Sequence, residues 1–212
     1  MTKIILVRHG QTSWNLSEIF RGRIDIDLDS VGIEQAKLLG RSLSIMQINA
    51  VYSSPLKRAL NTSIPIANYH QIEVNIDDRF IDINYGDWQG KSQEEVKETF
   101  KELYQKWLKD PHLLKIPDGE TLEEVRIRAV IGLNQILSEH NEGTIVIVSH
   151  RVINKVLICA LLGLDNSSFW QIKQDTACFS IFNYDERNFI LTLHNESCHL
   201  KPIQTQHETV DF

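Results

Sequence analysis

The sequence predicts a single α/β domain built on a parallel sheet. Short apolar runs of the kind buried on both faces alternate with amphipathic helical segments, and no Gly/Pro/Ser-rich linker or repeat interrupts them. Two of those runs are followed, one residue on, by a histidine. Ile4-Ile5-Leu6-Val7 opens the series as a strand. Ala36, Leu39, Leu43 and Met46 then recur at helical spacing, with Ser30 as the expected N-cap. Ala50-Val51-Tyr52 is a second strand, and Ser54-Pro55 reads as an N-cap followed by proline at the first helical position. The helix it opens carries Arg58 in its first turn, and Pro65 is expected to kink or end it.

Ser92-Gln93-Glu94-Glu95 and Thr121-Leu122-Glu123-Glu124 each have capping-box spacing. The first precedes one apolar stripe through Val96, Phe100, Leu103 and Trp107; the second precedes Val125, Ala129, Leu133 and Ile136. Together they predict a helical excursion over about 92–139. Thr144 to Val148 is the most emphatic buried strand, followed by Ser149-His150 and a helix through Val156, Leu157, Ala160 and Leu161 that stops at Gly163. Phe179 to Tyr184 and Phe189 to His194 predict a hairpin around Asp185-Asn188, whose edge is a candidate for homodimer pairing. The domain is thus expected over 1–200, with a polar C-terminal tail over 201–212.

The 212 residues are enough to bury a sizeable core, and 42% hydrophobic with 24% charged residues is a globular composition. With 22 Lys+Arg against 28 Asp+Glu, the net charge of −6 argues against a nucleic-acid partner. Cys159, Cys178 and Cys198 form neither a disulfide framework nor a zinc motif, which fits reduced thiols and a cytoplasmic location. The apolar start is cut off by Arg8 and no span of about 20 apolar residues occurs, so no membrane association is expected.

The chemistry collects after the parallel strands, at the carboxyl edge where such sheets bind ligands. His9, between Arg8 and Gly10, offers an imidazole that is nucleophilic near neutral pH beside a guanidinium fork suited to phosphate. His150 ends a second strand, and Arg58 lies in the first turn of a helix, where anions are favoured. Any one of these alone would be an ordinary polar residue; together they describe an anion pocket containing an imidazole. HExxH, GxSxG, GxxxxGK[ST] and GxGxxG are all absent, so neither a zinc site nor a nucleotide cofactor is indicated. What remains is an anion pocket with an imidazole in it, for which phosphoryl transfer is the natural reaction.

Leu6-Val7-Arg8-His9-Gly10-Gln11-Thr12-Ser13-Trp14-Asn15 resembles the signature of the histidine phosphatase superfamily, the phosphoglycerate mutase-like proteins. Ser53 to Ala59, Tyr85-Gly86-Asp87-Trp88-Gln89-Gly90 and Ile147-Val148-Ser149-His150 resemble its later blocks in order. Ala160-Leu161-Leu162-Gly163, Ser168-Phe169-Trp170 and Asn195 to Leu200 look most like its metal-independent phosphoserine phosphatases. The resemblance implies a three-layer sandwich, a mostly parallel central sheet with helices on both faces. It also implies a phosphomonoesterase acting on a small phosphorylated metabolite, with phosphoserine the leading candidate.

In that mechanism His9 becomes a phosphohistidine, and Arg8, Arg58 and His150 clamp the phosphate oxygens. Asn15 and the Arg21-Gly22 loop complete the cradle. Asp82 stands where the family usually places a glutamate acid, and Arg21 where it commonly has glutamine. Other readings within the family are a cofactor-dependent phosphoglycerate mutase, an α-ribazole phosphatase and a broad-specificity phosphatase; a non-catalytic subunit is a further one. His199 and Arg151 are candidates for meeting a substrate carboxylate.

Overall fold

The computed structural model describes residues 1–203. Its sheet has six strands in the order β3-β2-β4-β1-β5-β6. These are β1 (Thr2–Arg8), β2 (Ala50–Ser53), β3 (Val74–Ile76), β4 (Gly143–Ser149), β5 (Phe179–Tyr184) and β6 (Phe189–Glu196). Strands β1 to β4 run parallel, and β5 and β6 add antiparallel at one edge, so the expected hairpin forms. Its turn is held by Asp185, whose carboxylate accepts from the N–H groups of Arg187 and Asn188.

Alternation along the central strands sorts the core into two layers. Ile4, Leu6, Ile145 and Ile147 pack on one face with helices α6 (Leu122–Glu139) and α7 (Arg151–Leu161). Ile5, Val7, Val146 and Val148 pack on the other with α2 (Ser30–Leu43) and α3 (Lys57–His70). A short α1 (Ser13–Leu16) follows β1, and α4 (Gln93–Thr99) and α5 (Lys101–Lys109) lie between β3 and α6. This is the three-layer α/β sandwich expected above. Both capping boxes form: Ser92 accepts from the Glu95 N–H and Thr121 from the Glu124 N–H, with each glutamate accepting from its cap's N–H.

Several local expectations are corrected. Asp29, not Ser30, caps α2, because its carboxylate accepts from the Gly32 N–H; Met46 lies beyond the helix end. Helix α3 starts at Lys57 with Leu56 in the cap position, so Ser54-Pro55 precedes it rather than opening it. Pro65 stands inside α3 without ending it. The stripe from Val96 to Trp107 is two helices, broken at Phe100 (φ −123°). Strand β3 has three residues, two of them exposed, too short and polar a run to read as a strand. Cys159, Cys178 and Cys198 are all free, the first two buried. No helix among the described residues is long and apolar enough to cross a membrane. Of the tail expected over 201–212, residues 204–212 lie outside the described residues.

Helix α7 carries an unusual core residue. Lys155 is 5% exposed, with Nζ 4.7 Å from the centre of the Phe169 ring and 4.5 Å from that of Trp170. Burial, with Arg151 and Arg8 nearby, lowers its pKa to about 6. In an unfolded chain lysine titrates near ~10.4. Between those values the unfolded chain holds more protons, so this residue makes stability rise with pH from about 6 to 10. Lys155→Met is therefore expected to raise stability at pH 7 by roughly 1–2 kcal/mol, less than the pKa gap implies because the aromatic faces favour the cation. Urea unfolding should show that gain shrinking as the pH approaches 10; a gain constant from pH 7 to 10 would contradict it.

Candidate active site

The strand ladder itself places the two histidines side by side. Arg8 and Ser149 are register partners at the ends of β1 and β4, and the His9 N–H donates to the Ser149 carbonyl at 3.0 Å. Ser54 continues β2 in the same way, its N–H donating to the Val148 carbonyl. His9 and His150 thus emerge from adjacent strands, with ring centres 5.2 Å apart. Both are buried, at 1% and 0% exposure. The chain turns away from His9 beneath α2, and a Cβ on Gly32 would stand 2.0 Å from the Gln11 carbonyl oxygen, so glycine is required for that close approach.

Hydrogen bonds fix the tautomer of each ring. His9 Nδ1 lies 2.7 Å from the Gly10 carbonyl, which can only accept, so Nδ1 carries the proton and Nε2 the lone pair. His150 Nδ1 accepts from Arg58 Nε at 3.2 Å, so its proton is on Nε2, 2.7 Å from the Ser54 hydroxyl. Burial, then the charges of Arg58, Arg8 and Arg21, holds the His9 pKa well below the usual imidazole value. Burial and Arg58 do the same for His150. Both imidazoles are neutral at pH 7.

Arg58 is fully buried and its donors are distributed over four partners. Besides His150 it donates to the Ile24 carbonyl at 2.9 Å, the Gly22 carbonyl at 2.7 Å and Asp82 Oδ2 at 3.1 Å. Arg8, also buried, donates from Nη1 to the Gln174 carbonyl at 2.6 Å. Burial and the neighbouring Arg151 and Arg21 bring its pKa down to about 9; burial with Arg58 and Arg151 brings that of Arg21 down to about 10. Asn15 is buried in α1, its carboxamide oxygen accepting from both the N–H and hydroxyl of Thr12.

A cleft opens onto this cluster. His9, Arg21, Gly22, Asp82, Tyr85 and Arg151 line it, together with Glu18, Phe20 and Gln93 and the apolar Ile19 and Val152. Asp82 therefore shares the cleft with His9 and also accepts at Oδ1 from the Ile83 N–H at 2.9 Å. Arg8, Arg58 and His150 pack around His9 in the interior and are not among the lining residues, and Asn15 is not either. Arg151, at the start of α7, is buried in the cleft wall and hydrogen-bonds Tyr85. His199 lies against Phe179, with ring centres 5.8 Å apart, and does not line the cleft. Sequence reasoning did not single out Glu18, Gln93 or the side chain of Tyr85. Only Tyr85 carried a signal, as the first residue of a family block.

A neutral imidazole with its free lone pair on Nε2, surrounded by guanidinium groups and facing a carboxylate, can take and release a phosphoryl group. The family model for the histidine phosphatase superfamily (branch 1) matches residues 4–197. Phosphoserine phosphatase 1 of Hydrogenobacter thermophilus is 40% identical over 200 residues, covering 94% of this chain and 95% of its own length. Among solved structures, YhfR of Bacillus stearothermophilus superposes with a TM-score of 0.90 at 28% identity, over 94% of this chain and 100% of its own. The phosphoserine phosphatase of Entamoeba histolytica, in complex with 3-phosphoglyceric acid, gives 0.85 at 30% identity over 94% and 100%. The chain belongs to the histidine phosphatase superfamily and is a phosphatase of that family.

Proposed function

We propose that the protein is a metal-independent phosphomonoesterase that hydrolyses a small phosphorylated metabolite, phosphoserine foremost, through a phosphohistidine on His9. The observation that carries this reading is the His9 tautomer: the Gly10 carbonyl accepts from Nδ1–H, which leaves the lone pair of a neutral imidazole on Nε2. Nε2 attacks phosphorus and the P–O bond to the leaving group breaks. Arg8, Arg58 and Arg21 stabilise the charge on the transferring oxygens. Gly22 and Asn15 complete the cradle, and His150 holds the Arg58 guanidinium in plane. Asp82, entering this step protonated, gives its proton to the leaving alkoxide oxygen. Water then attacks the phosphohistidine, passes its proton to Asp82 and releases phosphate, regenerating neutral His9. The concentration of guanidinium groups supports metal independence, since a dication placed among them would be repelled. The 40% identity to a phosphoserine phosphatase supports the choice of substrate.

His9→Ala should abolish phosphate release from phosphoserine, and a sample exhaustively treated with EDTA should keep its rate; full activity in the variant would overturn the mechanism. If Asp82 protonates the leaving group, Asp82→Asn should slow phosphoserine hydrolysis by about 100-fold or more. The same variant should lose far less with p-nitrophenyl phosphate, whose leaving group needs no proton. Equal losses on both substrates would remove Asp82 from that role. Because burial and the arginines lower both histidine pKa values, an NMR titration should find His9 and His150 still neutral at pH 6. A midpoint for His9 near 6.5 would contradict the electrostatics described above.

A further inference from the structure

The cleft contains a charge that phosphate binding alone does not explain. Its lining includes two carboxylates, and Asp82 is committed to Arg58. The second is Glu18, the exposed member of a lining whose His9, Arg21, Asp82 and Arg151 are all buried, which places it toward the solvent end. An acidic group at the mouth of a cleft that admits a dianion repels the incoming substrate. For a monoester of a neutral or acidic alcohol it would only be a hindrance.

The backbone also holds Glu18 deliberately. Its φ is +49°, in the left-handed region that a residue with a Cβ adopts only at a cost. The neighbouring chain enforces this: the Gln93 N–H donates to the Glu18 carbonyl at 3.0 Å, Ile19 bridges Ser92, and the Phe20 N–H donates to the Lys91 carbonyl at 3.0 Å. Segment 18–20 is thereby laced to the start of α4, which holds the main chain of Glu18 at the cleft rather than leaving it on a wandering loop.

Arg151 supplies the complementary charge in the same lining. We propose that Glu18 is a specificity-determining residue that receives the ammonium group of a zwitterionic leaving group, an amino-acid O-phosphate, with Arg151 facing that substrate's carboxylate. This rests on the phosphomonoesterase reading above and sharpens it to one substrate class. It makes the mouth of the cleft a reader of charge pattern: ammonium and carboxylate together are accepted, and an acid without the ammonium meets an uncompensated glutamate.

The test compares kcat/KM for O-phospho-L-serine, phosphoethanolamine and 3-phosphoglycerate in the wild type, Glu18→Gln and Glu18→Lys, with thermal melting to establish that each variant is folded. The expected result in Glu18→Gln is a fall of roughly fivefold for the two ammonium-bearing substrates relative to 3-phosphoglycerate, expressed mainly in KM. Glu18→Lys should exceed that change and reverse the preference. Ratios unchanged in both variants would overturn the assignment of Glu18. A wild type that turns over other monoesters but not phosphoserine would instead overturn the substrate reading. In that case the phosphoethanolamine to 3-phosphoglycerate ratio still decides the role of Glu18.

Discussion

Arg58 is a guanidinium with no solvent exposure, and a buried cation is tolerated only when its donors are matched and its charge compensated. Its partners come from separate parts of the chain: the carbonyls of Gly22 and Ile24, the carboxylate of Asp82 and the ring of His150. Satisfying that one side chain therefore draws the loop before α2, the loop after β3 and the end of β4 onto a common point beside β2. The cleft residues Gly22 and Asp82 are in place because they answer this requirement, and His9 is the group they surround.

The same burial sets the chemistry. Positive charge gathered from Arg8, Arg21 and Arg58 in a site with little water works against any further cation, so the imidazoles lose their protons before the guanidiniums do. Neutrality gives His9 its nucleophilic lone pair, and the Gly10 carbonyl decides which nitrogen bears it. His150 uses its own neutrality differently. Only a deprotonated Nδ1 can accept from Arg58, so the charge that strips its proton is also the charge it orients. On a chain of net charge −6, these guanidinium groups are gathered around one buried imidazole.

How much of this the sequence disclosed depended on whether a feature is local. His9 and His150 stood at the ends of legible strands, and parallel register alone brings such ends together. Both glutamate-bearing caps were legible for the same reason, since a capping box is complete within four residues. The cap of α2 was misplaced by one residue because Asp29 and Ser30 are both good caps and only geometry chooses between them. The break at Phe100 sits inside an unbroken apolar period, and β3 is too short to show any. Tyr85 reaches the cleft through chain closure over dozens of residues, and Glu18 is held there by the pairing of segment 18–20 with 91–93, neither of which leaves a trace in spacing.

Asp82 shows how such closure can make up for a short side chain. Aspartate reaches less far than glutamate by one methylene, so its backbone has to approach the site more closely to serve as the acid. The segment 79–82 is drawn inward by side chains of α6, of the loop before it and of β4. Arg128 donates to the carbonyls of Arg79, Ile81 and Asp82 at 2.8, 2.7 and 3.1 Å, and Glu120 holds Arg128 at 2.9 Å. Ser149, the last residue of β4, donates its hydroxyl to the Phe80 carbonyl at 2.7 Å. A loop tied at four consecutive positions to the sheet edge and to α6 delivers its carboxylate to within 3.1 Å of Arg58 and 3.6 Å of His150. The position of that carboxylate is thus set by the main chain, where a longer side chain would have had to find it by its own torsions.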